Sequence, residues 1–426
     1  MVHGIFKKIK PEMWSAIIMI TLFYLCEFRF FFILPLPNIV FAGSTNKMLL
    51  AIFSLGLFVF YVLKSEKMGM GYFGWPFVFV FFTVAASTVL SKFEFGFSIT
   101  QVLWGIIPYL LLLLYFPGRK YLADKDTMEC FIVIGELFAI AMSALFILQY
   151  TRYTGENSTF LRLPGMIADV SIWHPEWGLR IRNVFDGLFR VFALVIADRI
   201  IGKRFRGCIL DIIAYLAIVL GVLIIDQSRS YLIIMLFSTI AILIYHSIKK
   251  VTVAKLLIGL GAVSVGFVAI SVKLVSIFSS ISEKAGSWLA RVNAAGHYIM
   301  VGAEHFFFGV GMADHESNPK VANYVRGLSG IFYPEDVGLI GLFALLGIVG
   351  IILYVFIMIR VIKCFLYAKD EQALLFGLVV CMILSSIIQT YFDRTRLLAL
   401  VLTAIICDIN RCRRWKANEL DNTDRL

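Results

Sequence analysis

The chain has 426 residues, of which 60% are hydrophobic, 15% aromatic and only 16% charged. A soluble chain of this length carries roughly a quarter charged residues to keep its surface wetted, so this composition excludes a water-soluble globular protein and requires a surface that mostly faces lipid. The net charge of +11 does not call for nucleic acid as a partner, because the basic residues cluster between apolar runs, as the cytoplasmic bias of lysine and arginine in membrane proteins demands.

A membrane-spanning helix needs about 20 apolar residues, and about twelve candidates appear. In chain order they cover approximately 14–34, 47–63, 72–90, 102–116, 127–150, 187–201, 207–226, 231–248, 253–278, 338–360, 373–391 and 397–410. Lys7, Lys8 and Lys10 precede the first run, but it is long and lacks a cleavage site, so it reads as an uncleaved helix. The sixth run is short and carries Arg190 and Asp198, which must snorkel or face the bundle interior. Glu27, Arg29 and Glu136 also fall within spans, either as structural ion pairs or as the lining of a polar cavity. The seven cysteines lie in apolar spans or on the basic side, and no disulfide framework follows.

Alternate connections separate by charge. One set holds Lys64 and Lys67, Arg119 and Lys120, Lys203, Arg204 and Arg206, Lys249 and Lys250, and Arg411, Arg413 and Arg414. That set is expected to be cytoplasmic, with both termini. The other set holds short outer turns and two long loops at about 151–186 and 279–337. No soluble domain or linker interrupts the chain, so 1–426 is expected to form a single transmembrane domain. The two halves show no mutual resemblance of the kind that marks transporters built from repeats.

The long loops carry the candidate chemistry. The first, with the start of the next span, has Arg152, Arg162, Arg180, Arg182 and Arg190 and no lysine. A preference for the planar guanidinium points to two-point contact with phosphate or carboxylate, although anchoring to lipid head groups fits as well. Trp173, Trp177 and His174 suit either an interface or stacking on sugars. At the outer junction of the seventh and eighth spans stands Gln227-Ser228-Arg229-Ser230, just after Asp226.

The second loop is far longer than two helices need. Trp288, Val292, Ala295 and Ile299 share one helical stripe, which predicts an interfacial amphipathic helix followed by a turn around Gly309 and Gly311. Beyond it the loop offers Arg291, His297, Glu304, His305, His315, Arg326, Glu335 and Asp336. The histidines lack the spacing of a helical zinc site and no cysteine is near, so neither metal nor cofactor is expected. Asp124-Lys125-Asp126 has the look of a metal-binding acidic pair, but it stands in a short turn with no nucleotide-binding domain beside it.

The strings DQSRSYLIIMLF and HFFFGVGMADH, followed by EDVGLIGLFALLGIVG, resemble the bacterial O-antigen polymerase (Wzy-type) and O-antigen ligase superfamily, best between about Leu220 and Gly350. That family shows a serine-arginine pair opening a helix, an arginine upstream of a Gly-x-Gly turn, and an acidic residue before Gly-x-x-Gly. Here these are Ser228-Arg229, Arg291 with Gly309 and Gly311, and Asp336 with Gly338 and Gly341. Arg291 and Gly302 also fit the polymerase pattern Arg-x10-Gly, a match that arises by chance about 1.5 times in such a composition. The ligases place a catalytic histidine shortly before the acidic residue, and the corresponding VRGLSG has none, which favours a polymerase.

The resemblance implies an all-α, GT-C-like membrane glycosyltransferase that joins polyprenyl-pyrophosphate-linked repeat units of an O-antigen or exopolysaccharide on the outer face of the membrane, without a metal. It implies Arg229 and Arg291 as pyrophosphate ligands and a base among Asp336, Glu335 and His315. Arg180, Arg182, Arg326, Trp173 and Trp177 are the implied glycan or pyrophosphate contacts. The implied partners are membrane lipid and a flippase and chain-length regulator of the same pathway. The competing readings are an O-antigen ligase and a lipid-linked oligosaccharide flippase or other transporter. A transporter's cationic residues should line the bundle at membrane depth rather than gather in outer loops.

Overall fold

A computed structural model describes residues 14–27, 43–64, 69–151, 187–205, 208–247, 285–313, 319–327, 332–368 and 371–423. The described residues are helical and contain no strand. This is the outcome expected where lipid offers no partner to a backbone N–H or C=O, so that each segment must satisfy its own. The helices are α1 (Trp14–Glu27), α2 (Gly43–Lys64), α3 (Gly74–Phe95), α4 (Ile99–Tyr121), α5 (Lys125–Thr151), α6 (Leu188–Gly202), α7 (Ile209–Asp226), α8 (Arg229–Ser247), α9 (Ala285–Glu304), α10 (Pro319–Arg326), α11 (Gly338–Tyr367), α12 (Gln372–Ile388) and α13 (Leu397–Thr423).

Among the described residues seven helices are long and apolar enough to cross a membrane: α3, α4, α5, α7 and α11, with the stretches Lys47–Lys64 of α2 and Ser230–Ser247 of α8. The protein is therefore a polytopic, all-α membrane protein. Each expected span has a helix, except 253–278, which lies outside the described residues. Residues 28–34 of the first expected span also lie outside them.

Local sequence sets the boundaries. Ser98 and Gln101 form a reciprocal cap at the start of α4: the Ser98 hydroxyl accepts from the Gln101 amide at 3.3 Å and the Gln101 side chain accepts from the Ser98 amide at 2.7 Å. The Asp124 carboxylate accepts from the amide and hydroxyl of Thr127 at 3.0 and 2.8 Å and so opens α5. The acidic pair singled out in the sequence thus has one member engaged in a helix cap.

The helix α11 is broken at Gly347, which has φ 63° and ψ −163°. In an unbroken helix the amides of Ile348 and Val349 would donate to Ala344 and Leu345. Instead they donate to the carbonyls of Phe306 and Phe307 at 2.8 and 3.3 Å, while Ala344 and Leu345 accept from Val310 and Gly311 at 2.9 Å each. The turn segment after α9 is spliced into the interrupted ladder, and these four backbone groups of the break find partners there. Gly309 and Gly311 have φ of 64° and 77°, a conformation that favours glycine. A Cβ on Gly311 would lie 2.9 Å from Thr88 Cα and 2.6 Å from Ser91 Oγ. The α3 face completes the joint: Ser87 donates to the carbonyls of Phe308 and Leu345, and the Met312 amide donates to Thr88 Oγ1 at 3.1 Å.

The expected amphipathic helix is present as α9. Ala294, Tyr298 and Val301 are buried, whereas Val292 and Ile299 of the predicted stripe are about half exposed. Val292 and Ile299 of the stripe therefore face away from the protein, Ala295 packs against the core, and a separate face of α9 packs against α11.

Candidate functional site

Chain direction brings five segments to one end of the bundle, where α6, α8, α11 and α13 begin and α7 and α12 end. The segments are Gly187–Arg190, the turn from Asp226 to Tyr231, Met312 and Ala313, the 3-10 turn Pro334–Asp336, and the connection Gln389–Arg396.

Arg190 ties three of them together. It is fully buried, and its guanidinium donates to Ser385 Oγ at 2.8 Å and to Gln389 Oε1 at 2.9 Å. Its centre lies 5.0 Å from the Tyr231 ring and 5.9 Å from the Tyr391 ring. Of the two fates open to an arginine in this span, it faces the interior. Polar side chains and ring faces take up the charge that water would otherwise solvate. Gly187, with φ 78°, packs directly on the Thr395 carbonyl, which a Cβ would approach to 2.5 Å. The Tyr109 hydroxyl of α4 donates to the Phe392 carbonyl at 2.7 Å, so the Gln389–Arg396 connection is held from two sides.

A cleft opens beside this connection. It is lined by Glu335, Thr390, Asp393 and Arg394 and floored by Met312, Ala313, Pro334, Leu342 and Leu345. The lining thus combines charged and apolar side chains. Gly338, at φ 58°, and Gly341 allow the acidic turn to approach this closely: a Cβ on Gly341 would lie 1.8 Å from the Pro334 carbonyl oxygen, and one on Gly338 2.3 Å from that of Ser386. Burial raises the proton affinity of the Glu335 carboxyl, the negative charge of Asp393 adds to the rise, and Arg394 offsets part of it. Asp393 is itself held by Arg396 and by the Thr395 hydroxyl.

Over the acidic turn lies a layer made by α9 and α10. The Arg326 guanidinium sits 4.7 Å above the Tyr333 ring. His297 meets the Tyr324 carbonyl at 2.9 Å. His305 contacts the Tyr324 hydroxyl at 3.2 Å and Glu94 of α3 at 3.3 Å, and that hydroxyl donates to Glu304. The Tyr298 hydroxyl is buried with no hydrogen-bond partner. Burial raises its proton affinity most, and the charges of Glu335, Arg326 and Asp336 act on it in turn.

The sequence-predicted residues fall into three groups. Glu335 lines the cleft, with Asp336 beside it in the same turn, and Arg326 and Tyr298 lie within electrostatic reach. Arg229 opens α8, two residues before Tyr231. Arg291 is half-buried on α9. The third group, Arg180, Arg182, Trp173, Trp177 and His315, lies outside the described residues. Sequence reasoning missed Asp393 and Arg394. Their only signal was two arginines and an aspartate in an eight-residue connection between apolar helices, and it was passed over as a short turn.

Away from this end, Glu27 pairs with Lys47 at 2.8 Å, and Arg199 binds Glu129 at 2.6 Å and Asp211 at 2.9 Å. These are the structural ion pairs that charged residues in spans usually make. Arg29 lies outside the described residues. No cluster of three or more histidine, cysteine, aspartate or glutamate side chains that could hold a metal occurs among the described residues.

Comparison with curated proteins gives no match. A family model described as O-antigen ligase matches residues 214–355, a range that includes the Gln227–Tyr231 turn, α9, α10, the acidic turn and the first part of α11 with its break, and ends before Gln389–Arg396. That match, across a third of the chain, supports its resemblance to the O-antigen ligase and polymerase superfamily.

Proposed function

We propose that the protein is a polysaccharide polymerase of the bacterial inner membrane, joining polyprenyl-pyrophosphate-linked oligosaccharide repeat units on the outer face. The observation that carries this reading is the cleft at the helix ends, whose lining combines the acidic turn of the matched family region with an arginine and with apolar side chains. Such a cleft suits a substrate that is part anion, part lipid and part glycan. The stretch 325–330, VRGLSG, offers no histidine before the acidic turn, which favours the polymerase over the ligase.

The reaction is a displacement at the anomeric carbon of the donor. The acceptor hydroxyl oxygen forms the new glycosidic bond, and the bond from that carbon to pyrophosphate breaks. The electron pair leaves with the pyrophosphate, and the hydroxyl proton passes to a base. Of the three candidate bases Glu335 is favoured, because it lines the cleft and because a carboxylate of raised proton affinity is a stronger base than an ordinary one. Fixed arginines stabilise the charge that develops on the leaving group, a role that needs no metal. Arg229 and Arg291 are assigned to it.

The test is the glycan of a deletion strain. Loss of a polymerase leaves surface glycan capped with one repeat unit, or, where the pathway ends in free polymer, loss of that polymer with short lipid-linked units outside. Long polymer accumulating on the lipid carrier would restore the ligase. Units trapped on the cytoplasmic leaflet would favour the flippase.

A further inference from the structure

We infer that Arg394, in the connection between α12 and α13, is a substrate-binding residue of the cleft and grips the phosphate-bearing end of the lipid-linked donor. The inference rests on the polymerase reading for the identity of the donor, but Arg394 lies beyond the matched family region and its argument is geometric. Arg394 lines the cleft and is half-buried. Arg396, two residues on, is buried and paired with Asp393. Asp393 also accepts from Thr395, so the adjacent carboxylate is already engaged. Glu335 lies within electrostatic reach, but no hydrogen bond or ion pair joins Arg394 to any described residue.

A guanidinium presents five donors in a rigid fork, and withdrawing it from water without acceptors is costly. A cleft that keeps one so placed is built to receive an anion, and the fork matches two phosphate oxygens at once. A second polar group at the same place also lacks a partner, the buried hydroxyl of Tyr298, which feels the charge of Glu335. The apolar floor of Met312, Ala313, Leu342 and Leu345 gives an isoprenoid chain a surface to follow from the anion toward lipid. A free sugar phosphate would have no use for that floor.

The experiment uses the full chain in nanodiscs of zwitterionic lipid, with farnesyl pyrophosphate as the probe. Arg394→Gln should weaken binding at least ~10-fold, and Arg394→Lys, which keeps the charge but not the fork, should fall between. Because Arg394 makes no hydrogen bond or ion pair with any described residue, the lysine variant, which keeps the charge beside Glu335, should not lower thermal stability, and it provides the reading if the glutamine variant does misfold. Equal binding by wild type and both variants would overturn the inference. So would wild-type protein that ignores farnesyl pyrophosphate but shows Arg394-dependent binding of phosphatidylglycerol, since Arg394 would then be an anchor to lipid head groups. Arg394-dependent probe binding in a protein that fails to extend repeat units would leave the inference standing and remove the polymerase reading instead.

Discussion

Glu335 carries the sharpest pH dependence expected of this protein. Its carboxyl binds a proton more tightly in the folded state than an ordinary glutamate, through burial and the charge of Asp393. The folded protein therefore retains protons that the unfolded chain has released, and stability falls as pH climbs from the ordinary glutamate range through the raised value. Glu335→Gln removes that dependence. In detergent melts the variant should match the wild type in mildly acid buffer and exceed it in alkaline buffer, while chain extension falls roughly 10²-fold or more through loss of the base. Arg190 presents the opposite case, a cation whose partners are part of the core. Arg190→Lys keeps the charge but loses the planar contact with Tyr231 and Tyr391 and one of the two bonds to Ser385 and Gln389. A loss of about 2 kcal/mol is expected, read as a lowered unfolding midpoint. Both residues stood out in the sequence as charges near apolar runs. Nothing in the sequence said that Arg190 would be wrapped by aromatic rings and Glu335 would face open space, because that depends on which helices meet.

At the scale of elements, the helices were legible because lipid leaves the backbone few alternatives and the apolar runs mark where they lie. The turn around Gly309 and Gly311 was legible from its glycines. What those glycines serve was not, since the partner of the turn is a break at Gly347 in a helix whose sequence reads as continuous apolar span. The glycine there is indistinguishable in the sequence from Gly350, which is helical. Gly347→Ala tests the assignment. Its Cβ would stand 2.3 Å from the Phe307 carbonyl carbon, at φ 63°, so the variant must either strain or close its own helix and expel the spliced segment. Folded protein recovered in detergent should fall sharply, whereas Gly56→Ala, where an added Cβ meets nothing within 4 Å, should leave recovery unchanged. The clamp of His305, Glu94, Glu304 and Tyr324 is a smaller joint. Tyr324→Phe deletes the hydroxyl that two partners share and should cost about 1 kcal/mol.

At the scale of the molecule, alternating helix directions put the acidic turn and Arg394 at one end and Arg119, Lys203 and Arg411 at the other. From the charge bias we propose that the second end is the cytoplasmic one. Single cysteines test this in a background free of accessible native thiols. Asn323→Cys, exposed on α10, should react with an impermeant thiol reagent in intact cells, and Lys125→Cys only after lysis. The reverse pattern would turn the molecule over and move the cleft to the wrong side for lipid-linked substrate. The splice between residues 306–311 and α11 also bears on how the chain is made. When α11 leaves the insertion machinery without that segment, its amides at Ile348 and Val349 and its carbonyls at Ala344 and Leu345 can be satisfied only by closing on one another as a continuous helix, since each unpaired group would cost several kcal/mol in hydrocarbon. Docking residues 306–311 reopens that ladder and exchanges two internal bonds for four across the joint. Newborn α11 is thus expected to enter as a straight span and to take its break only when the segment after α9 joins it.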